Sequence, residues 1–408
     1  MAKYGLALGV LSKIVEMGKV FLLTIIAGRL LSITEFGVYS LLLSIAAIVA
    51  ILAEFRIQDV VYRNINRGDS LTVIIGNSLV IVALFAFIGH LLLIVISYSN
   101  YFSGSGVDIY FLYGFIFYLN IARVFKTVMI ANGKSLLILV LEVISGITAA
   151  CYLFFFSASA GVTVNNIVTT RIVDLLVLSA LLIFITLAKK EISLPSRIYM
   201  VTLIKETFPL VLSGVAVILY QKIDQLMIKH IMGYDALGLY SANLTVVTMF
   251  SILPMMYAQV ASKSIHVDGS DFNILRYVRA VSYIGLSLSL LVFVFGDSVV
   301  YYGFGLRYQI DSGIWYSLAL IPFLISTGAA ATQVLIAKNR QSYVWIKSFI
   351  ALGVNMVLNY FMIPIYGMEG AAVATVVSLL FGNVISNLLI KSYRDIFTIQ
   401  IKSLVYYW

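Results

Sequence analysis

The stretch Thr207–Ser241, TFPLVLSGVAVILYQKIDQLMIKHIMGYDALGLYS, decides how the rest of the chain is read. It is long and apolar enough to cross a bilayer, where a spanning helix takes ~20 residues. Its second half nevertheless carries Gln221, Lys222, Asp224, Gln225 and Lys229. Charge at membrane depth is costly, so it faces a wet cavity or a partner and marks a transport path. The stretch also opens the second half of a chain that repeats itself. It therefore predicts a transporter.

Composition agrees. Hydrophobic residues make up 62% of the 408 and charged residues 11%, and the mean hydropathy is +1.03. Soluble domains hold roughly 45–50% apolar and 25% charged residues, so no water-soluble core absorbs this surplus. Long continuous apolar runs predict an all-α polytopic membrane protein, because a β-barrel reads as ~10-residue alternating segments. Met1–Gly9 runs directly into Lys13, Glu16 and Lys19, without the apolar core and small-residue cleavage site of a signal peptide. A single Cys151 excludes an internal disulfide and a cysteine metal site, and His90, His230 and His266 have no ligand spacing.

Breaks at charge clusters and turn residues predict twelve spans, near 7–31, 37–56, 71–98, 108–130, 136–157, 163–188, 207–231, 236–261, 278–302, 311–336, 343–366 and 369–390. The corresponding organisation is a six-helix bundle over 1–188, a basic linker over 189–206, a second bundle over 207–390 and an amphipathic tail over 391–408. With the N-terminus inside, twenty of the 27 Lys and Arg fall on inner segments, Arg29, Lys229 and Arg307 on outer ones, and Lys13, Lys19, Arg171 and Lys222 within spans. That asymmetry places both termini in the cytoplasm. It also accounts for the +9 net charge without a nucleic-acid partner. The tail alternates basic and apolar residues and reads as an anchor lying on anionic headgroups.

Three weak echoes relate the halves. Glu35–Ser40 (EFGVYS) matches Ala236–Ser241 (ALGLYS) at an offset of 201. Ile130-Ala131 matches Ile336-Ala337, and Gly161 with Thr169 matches Gly367 with Thr375, both at an offset of 206. A six-span repeat keeps its orientation, so the two bundles are expected to relate by a pseudo-two-fold along the membrane normal.

At these turns the chain resembles the multidrug/oligosaccharidyl-lipid/polysaccharide (MOP) exporter superfamily, and within it the Wzx-type O-antigen flippases. The resemblance rests on Ala27–Leu31 (AGRLL) leading into Glu35–Tyr39, on Asp224 followed by Gly238–Ser241, on Ile363–Thr375 (IPIYGMEGAAVAT) and on twelve spans with short loops. It implies two bundles around a central cavity with alternating access. It implies transfer of an undecaprenyl-diphosphate-linked repeat unit to the periplasmic leaflet of a bacterial inner membrane, with the bilayer and other polysaccharide-assembly membrane proteins as partners. Lipid II flippases of the superfamily usually have fourteen spans. Small-molecule exporters are closer in span count and form the rival reading.

For a lipid-linked anion, cationic side chains in a low-dielectric cavity supply the attraction. Lys222, Gln225 and Lys229 form one helical stripe, from which Asp224 points away. Asp224 has two readings, a proton or cation coupling site or the partner of a basic residue on a neighbouring helix. Lys13, Glu16 and Lys19 are spaced for local pairing, with Glu16 and Lys19 as cavity candidates and Lys13 reading as a snorkelling helix start. Arg171 and Asp174 form an i, i+3 pair that is either structural or substrate-facing. Arg29 lies at an outer mouth. Glu142 has no basic neighbour within four positions, so it is either protonated or paired across helices, which makes it a second coupling candidate. Asp174 joins the coupling group. No cofactor is expected beyond H+ or Na+ coupling and the membrane potential. Short outer loops without a phosphate-binding glycine loop or acid/base constellation argue against an enzyme.

Overall fold

The computed structural model describes residues 2–99, 106–159, 161–187, 193–262, 264–265, 270–338, 340 and 344–405. Residues 189–192 of the expected linker, 406–408 of the tail, His266 and residues 100–102 of an aromatic run lie outside the described residues. The helices are α1 (Ala2–Leu30), α2 (Ile33–Glu54), α3 (Ile57–Asn66), α4 (Leu71–Ser97), α5 (Val107–Leu119), α6 (Ala122–Ala131), α7 (Ser135–Ser159), α8 (Val164–Leu187) and α9 (Arg197–Met232). They continue with α10 (Tyr234–Ala261), α11 (Asp271–Gly303), α12 (Ser312–Ala319), α13 (Ile321–Ala337), α14 (Val344–Leu380), α15 (Ser386–Leu389) and α16 (Arg394–Val405). No strand occurs among the described residues.

Among those residues, nine segments are long and apolar enough to cross a membrane, the last being Val344–Leu389. That segment bends at Gly367, whose φ of 57° and ψ of −134° interrupt the helix, so it supplies two passes. A left-handed φ disfavours any residue with a Cβ. Gly161, its counterpart in the repeat, also has a positive φ, of 77°. The 29-residue α1 and the 36-residue α9 are long enough to cross as well and carry in-span charge, completing the twelve passes.

Two compact units result: Met1–Leu31 with Leu42–Val215, and Ser32–Leu41 with Ala216–Trp408. The division falls inside α9, not in the basic connection at 189–206, and the first turns of α2 join unit 2. In unit 1, Phe55, Ile74, Phe125, Ile138, Leu182 and Leu203 belong to one core cluster. Phe55 and Arg56 adopt left-handed conformations between α2 and α3, at a cost of roughly 1–2 kcal/mol each. Packing holds the break: Phe55 stacks on Phe85 at 3.9 Å, and Glu54, just before it, binds Arg123 and Asn120.

In unit 2, the two halves of the sequence repeat meet in matched fashion. Ser32 and Glu35 cap α2 reciprocally, with Glu35 Oε2 accepting from Ser32 N at 2.8 Å and Ser32 Oγ accepting from Glu35 N at 3.2 Å. A Cβ on Gly37 would lie 2.0 Å from the Tyr234 carbonyl oxygen, and one on Gly238 would lie 2.4 Å from that of Ile33. Thr34 Oγ1 donates to Asp235. Residues 33, 34 and 37 correspond to 234, 235 and 238 at the repeat offset, so the contact is isologous in form. The echo in the sequence thus marks two glycines that admit each other's helix start. Phe36 follows them into an edge-to-face cluster with Phe304 and Tyr308.

The tail is not a simple headgroup anchor. Ile396, Gln400 and Ser403 of α16 are buried within unit 2, while Ile401, Leu404 and Val405 stay exposed. The last pass has a π turn at Phe381–Ile385, a geometry that breaks the regular i→i+4 ladder. The Asn383 carbonyl accepts from Gln400 Nε2 at 3.0 Å and from Asn387 Nδ2 at 3.1 Å. Asp395 accepts from Lys338 and Arg340, and Tyr393 OH donates to the Arg340 carbonyl. A helix read as amphipathic from its sequence here buries a mixed face of Ile396, Gln400 and Ser403 and exposes Arg394 and Lys402, because Gln400 satisfies a carbonyl of the π turn.

Gly37→Ala and Gly238→Ala are each expected to cost about 1–3 kcal/mol through overpacking. Because both act on one contact, the double variant should lose less than the sum in a detergent unfolding series. Strict additivity would show the two glycines to be independent.

Candidate functional site

Four elements of unit 1 bring ionisable side chains together: α1 supplies Glu16 and Lys19, α6 Lys126, α7 Glu142 and α8 Arg171 and Asp174. The groups form one chain of alternating sign. Lys13 Nζ lies 3.2 Å from Glu16, which lies 2.6 Å from Lys126; Lys126 reaches Glu142 Oε1 at 2.6 Å. Lys19 Nζ lies 2.7 Å from Glu142 Oε2 and 2.6 Å from Asp174, which lies 2.7 Å from Arg171. Ser145 Oγ accepts from Lys19 at 2.9 Å and donates to Asp174 at 2.8 Å. Glu142, 1% exposed, is the centre of the chain and touches both lysines.

Of the two readings that the sequence leaves for Glu142, the structure holds the pairing across helices. Lys19 does not use Glu16, its i−3 neighbour, but crosses to α7 and α8. Arg171 and Asp174 do pair, yet Asp174 is shared with Lys19, so the pair is not self-contained. Lys126 is the member missed from the sequence, where its place near the end of a predicted span put it among cytoplasmic basic residues. Only its in-span position at 108–130 signalled otherwise. Arg29 is exposed at the end of α1.

Unit 2 treats its carboxylate differently. Asp224, 1% exposed on α9, accepts from Tyr240 OH at 2.8 Å, from Thr375 Oγ1 at 3.3 Å and from the Gln225 amide at 2.7 Å. Among the described residues no basic side chain comes within ion-pair distance of it, although Lys222, two positions earlier on α9, acts on its charge from further away. The polar row continues on α14, where Ser378 Oγ donates to the Thr375 carbonyl, Asn355 Nδ2 to Ser378 Oγ at 3.0 Å and Asn359 Nδ2 to Asn355 Oδ1 at 2.8 Å. Asn359 Oδ1 is buried without a partner among the described residues. Tyr240 and Thr375 were quoted in the turn motifs of the sequence, and the asparagines form an i, i+4 pair in the eleventh span. None of the four was singled out as a site residue.

The stripe on α9 is only partly a unit. Lys222 Nζ lies 3.5 Å from Gln225 Oε1, Gln225 is itself buried, and Lys229 sits 5.2 Å from the Tyr234 ring centroid. A buried carboxylate whose hydrogen bonds all come from neutral hydroxyl and amide donors suits uptake of a proton or a small cation, because no ion pair has to be broken first. The unit 1 chain is instead nearly self-compensating, with four basic and three acidic groups. No group of His, Cys, Asp and Glu suited to holding a metal occurs among the described residues.

Removing one partner from a buried ion pair costs about 3–5 kcal/mol, whereas exposed pairs contribute about 0–1 kcal/mol. Glu142→Gln should therefore lower the unfolding midpoint well beyond Lys13→Gln, whose side chain is 54% exposed. Equal melting curves for the two variants would show that the chain of charges carries no stability.

No curated protein sequence matches the chain. Among solved structures, the fold is similar to an inward-facing multidrug resistance MATE family transporter of the MOP superfamily, with a TM-score of 0.70, 12% identity and coverage of 97% of this chain and 96% of that one. It is similar to the lipid II flippase MurJ in an inward closed conformation, with a TM-score of 0.71, 15% identity and coverage of 98% and 91%. A MOP superfamily transporter from Pyrococcus furiosus, described as having a binding pocket of reverse polarity, aligns with a TM-score of 0.60 at 13% identity over 98% and 94%. These likenesses establish the all-α MOP architecture of a multi-pass membrane protein. Residues 4–262, more than half of the chain, match the family described as "Polysaccharide biosynthesis protein", and the chain belongs to that family.

Proposed function

We propose that this protein is a flippase that moves undecaprenyl-diphosphate-linked O-antigen or related polysaccharide repeat units from the cytoplasmic to the periplasmic leaflet of a bacterial inner membrane. Both termini lie in the cytoplasm on this reading. The observation that carries it is the set of buried charges within the passes, joined to membership of a polysaccharide biosynthesis family. The head of such a cargo is anionic and polar and needs a hydrated, partly cationic route while its polyprenyl tail stays in lipid. Glu16, Lys19, Arg29, Arg171, Lys222, Gln225 and Lys229 are the side chains proposed to line that route. Other polysaccharide-assembly membrane proteins supply and take the cargo.

Coupling is assigned first to Asp224, with Glu142 and Asp174 as the second centre. Asp224 is the carboxylate whose state changes most simply with a proton or Na+, because its hydrogen bonds come from neutral groups and no ion pair has to break. The membrane potential acts on the cargo directly. Each elementary charge moved across 100 mV is worth about 2.3 kcal/mol, and an anion leaving an inside-negative cell moves in the favourable direction.

The test is complementation of a strain lacking its own O-antigen flippase, supplied with the assembly enzymes of the matching repeat unit. Wild type should restore surface polymer. Asp224→Asn, which keeps size and removes the charge, should lower it about ten-fold or more at equal membrane abundance, the scale of one coupling free energy. Lys222→Ala should lower it as well. Absence of polymer with wild type, together with export of cationic dyes, would replace this reading by that of a small-molecule exporter.

A further inference from the structure

The positively charged groups within the passes divide into two kinds. In unit 1, Lys19, Lys126 and Arg171 each touch a carboxylate within 2.7 Å. In unit 2, Lys347 touches none. It is the fourth residue of α14, is 5% exposed, and has neither an ion pair nor a hydrogen-bond partner among the described residues. Sequence reasoning counts it as one more basic residue at a cytoplasmic helix end, where the ordinary expectation is an ammonium that snorkels to the headgroups.

The helix geometry argues against snorkelling. Trp345 and Phe349, 49% and 45% exposed, mark the outward face of this end of α14. At 3.6 residues per turn Lys347 lies about 160–200° away from them. It starts instead a buried row at i+4 spacing, Lys347, Ala351, Asn355, Asn359 and Ile363. At position 382 of the π turn the backbone comes so close that an added Cβ would lie 2.8 Å from Ala351 Cβ and 3.7 Å from the Lys347 carbonyl oxygen. The side chain therefore leaves the helix on the protein side, at the foot of the polar row that leads to Asn355 and Asn359.

An ammonium on a side chain this buried is costly without a counter-charge, and an arriving anion would offset that cost. A phosphate-bearing head is the anion that fits a compact, strongly donating ammonium. We propose that Lys347 is the binding residue that receives a phospho-anion at the cytoplasmic end of unit 2, the diphosphate of the lipid-linked cargo or the headgroup of an anionic phospholipid. The cargo assignment rests on the flippase reading; the anion site itself does not. Lys222 on α9, 3.5 Å from Gln225 Oε1, is a second lysine outside any ion pair among the described residues, though Asp224 acts on it from further away.

The experiment uses the purified full-length chain in neutral detergent, with farnesyl diphosphate and phosphatidylglycerol as separate probes. Lys347→Met and Lys347→Arg are compared with wild type, and a melting curve is taken for each. The Met variant should melt no lower than wild type, since it exchanges an unpaired buried charge for an apolar chain of similar length. Its affinity should fall about ten-fold or more for at least one probe, the scale of a charged hydrogen bond. The Arg variant should stay within a few-fold of wild type. Loss confined to farnesyl diphosphate identifies the cargo, and loss confined to phosphatidylglycerol identifies a bilayer lipid. Unchanged affinity of the Met variant for both probes overturns the proposal, as does failure of wild type to bind either. If the Met variant does not fold, Lys347→Gln is read in the same way. Complementation decides the flippase reading separately, because wild type either restores polymer or does not, whatever Lys347 binds.

Discussion

Glu142 accepts contacts from two lysines that arrive on two other helices, and much of unit 1 is arranged so that it can. A carboxylate at membrane depth has no water to turn to, and neither has an ammonium. Once one of them is present, the others are required in place. Lys19 answers Glu142 and Asp174, Lys126 answers Glu142 and Glu16, and Arg171 completes the charge of Asp174. The result fixes the relative rotation of α1, α6, α7 and α8 more narrowly than apolar packing does, since sliding one helix by a turn would break several contacts together. Lipid-facing helices gain little from burying apolar surface against each other, so polar contacts specify such a bundle strongly.

Unit 2 solves the same problem by other means. Asp224 is surrounded by hydroxyls and amides, and its neighbours Asn355, Asn359 and Ser378 are neutral. A hydrogen-bonded network of neutral groups leaves the carboxylate free to exchange a proton or cation without dismantling an ion pair. A chain of ion pairs is harder to change by single steps, because each charge between its ends has two partners. The order of the coupling assignment follows from this contrast, with Asp224 of unit 2 ahead of Glu142 and Asp174 of unit 1.

The passes were legible because a bilayer demands long apolar runs, and Gly161 and Gly367 announced their turns because a positive φ leaves few alternatives. The in-span charges Glu16, Lys19, Arg171, Asp174, Lys222 and Asp224 were legible for the same reason, as exceptions to the apolar rule. What escaped was everything decided by rotation about a helix axis near a predicted end. Lys126 and Lys347 sit a turn from the boundary, where a lysine reaches headgroups on one face and is buried on the other, and the linear sequence does not say which. The docking of α16 escaped for a related cause. Its Gln400 is polar in composition, and its value lies in the Asn383 carbonyl offered by a π turn that no propensity scale reports. The division of the chain inside α9 escaped because no loop marks it.

The internal repeat survives where backbones touch and fades where charges lie. Gly37 and Gly238 cannot accept a side chain without moving a carbonyl of the other repeat, so both positions are held by sterics alone. Inside the bundles the rule is weaker: any charge is tolerated provided something compensates it. Lys19 on the first pass and Asp224 on the seventh show what that freedom allows, with opposite charges carried by the first passes of the two repeats. One is compensated by carboxylates and the other by hydroxyls. A duplicated scaffold under these two rules keeps its turns and diverges in its interior, and a divergent interior is what a transporter with unlike halves requires.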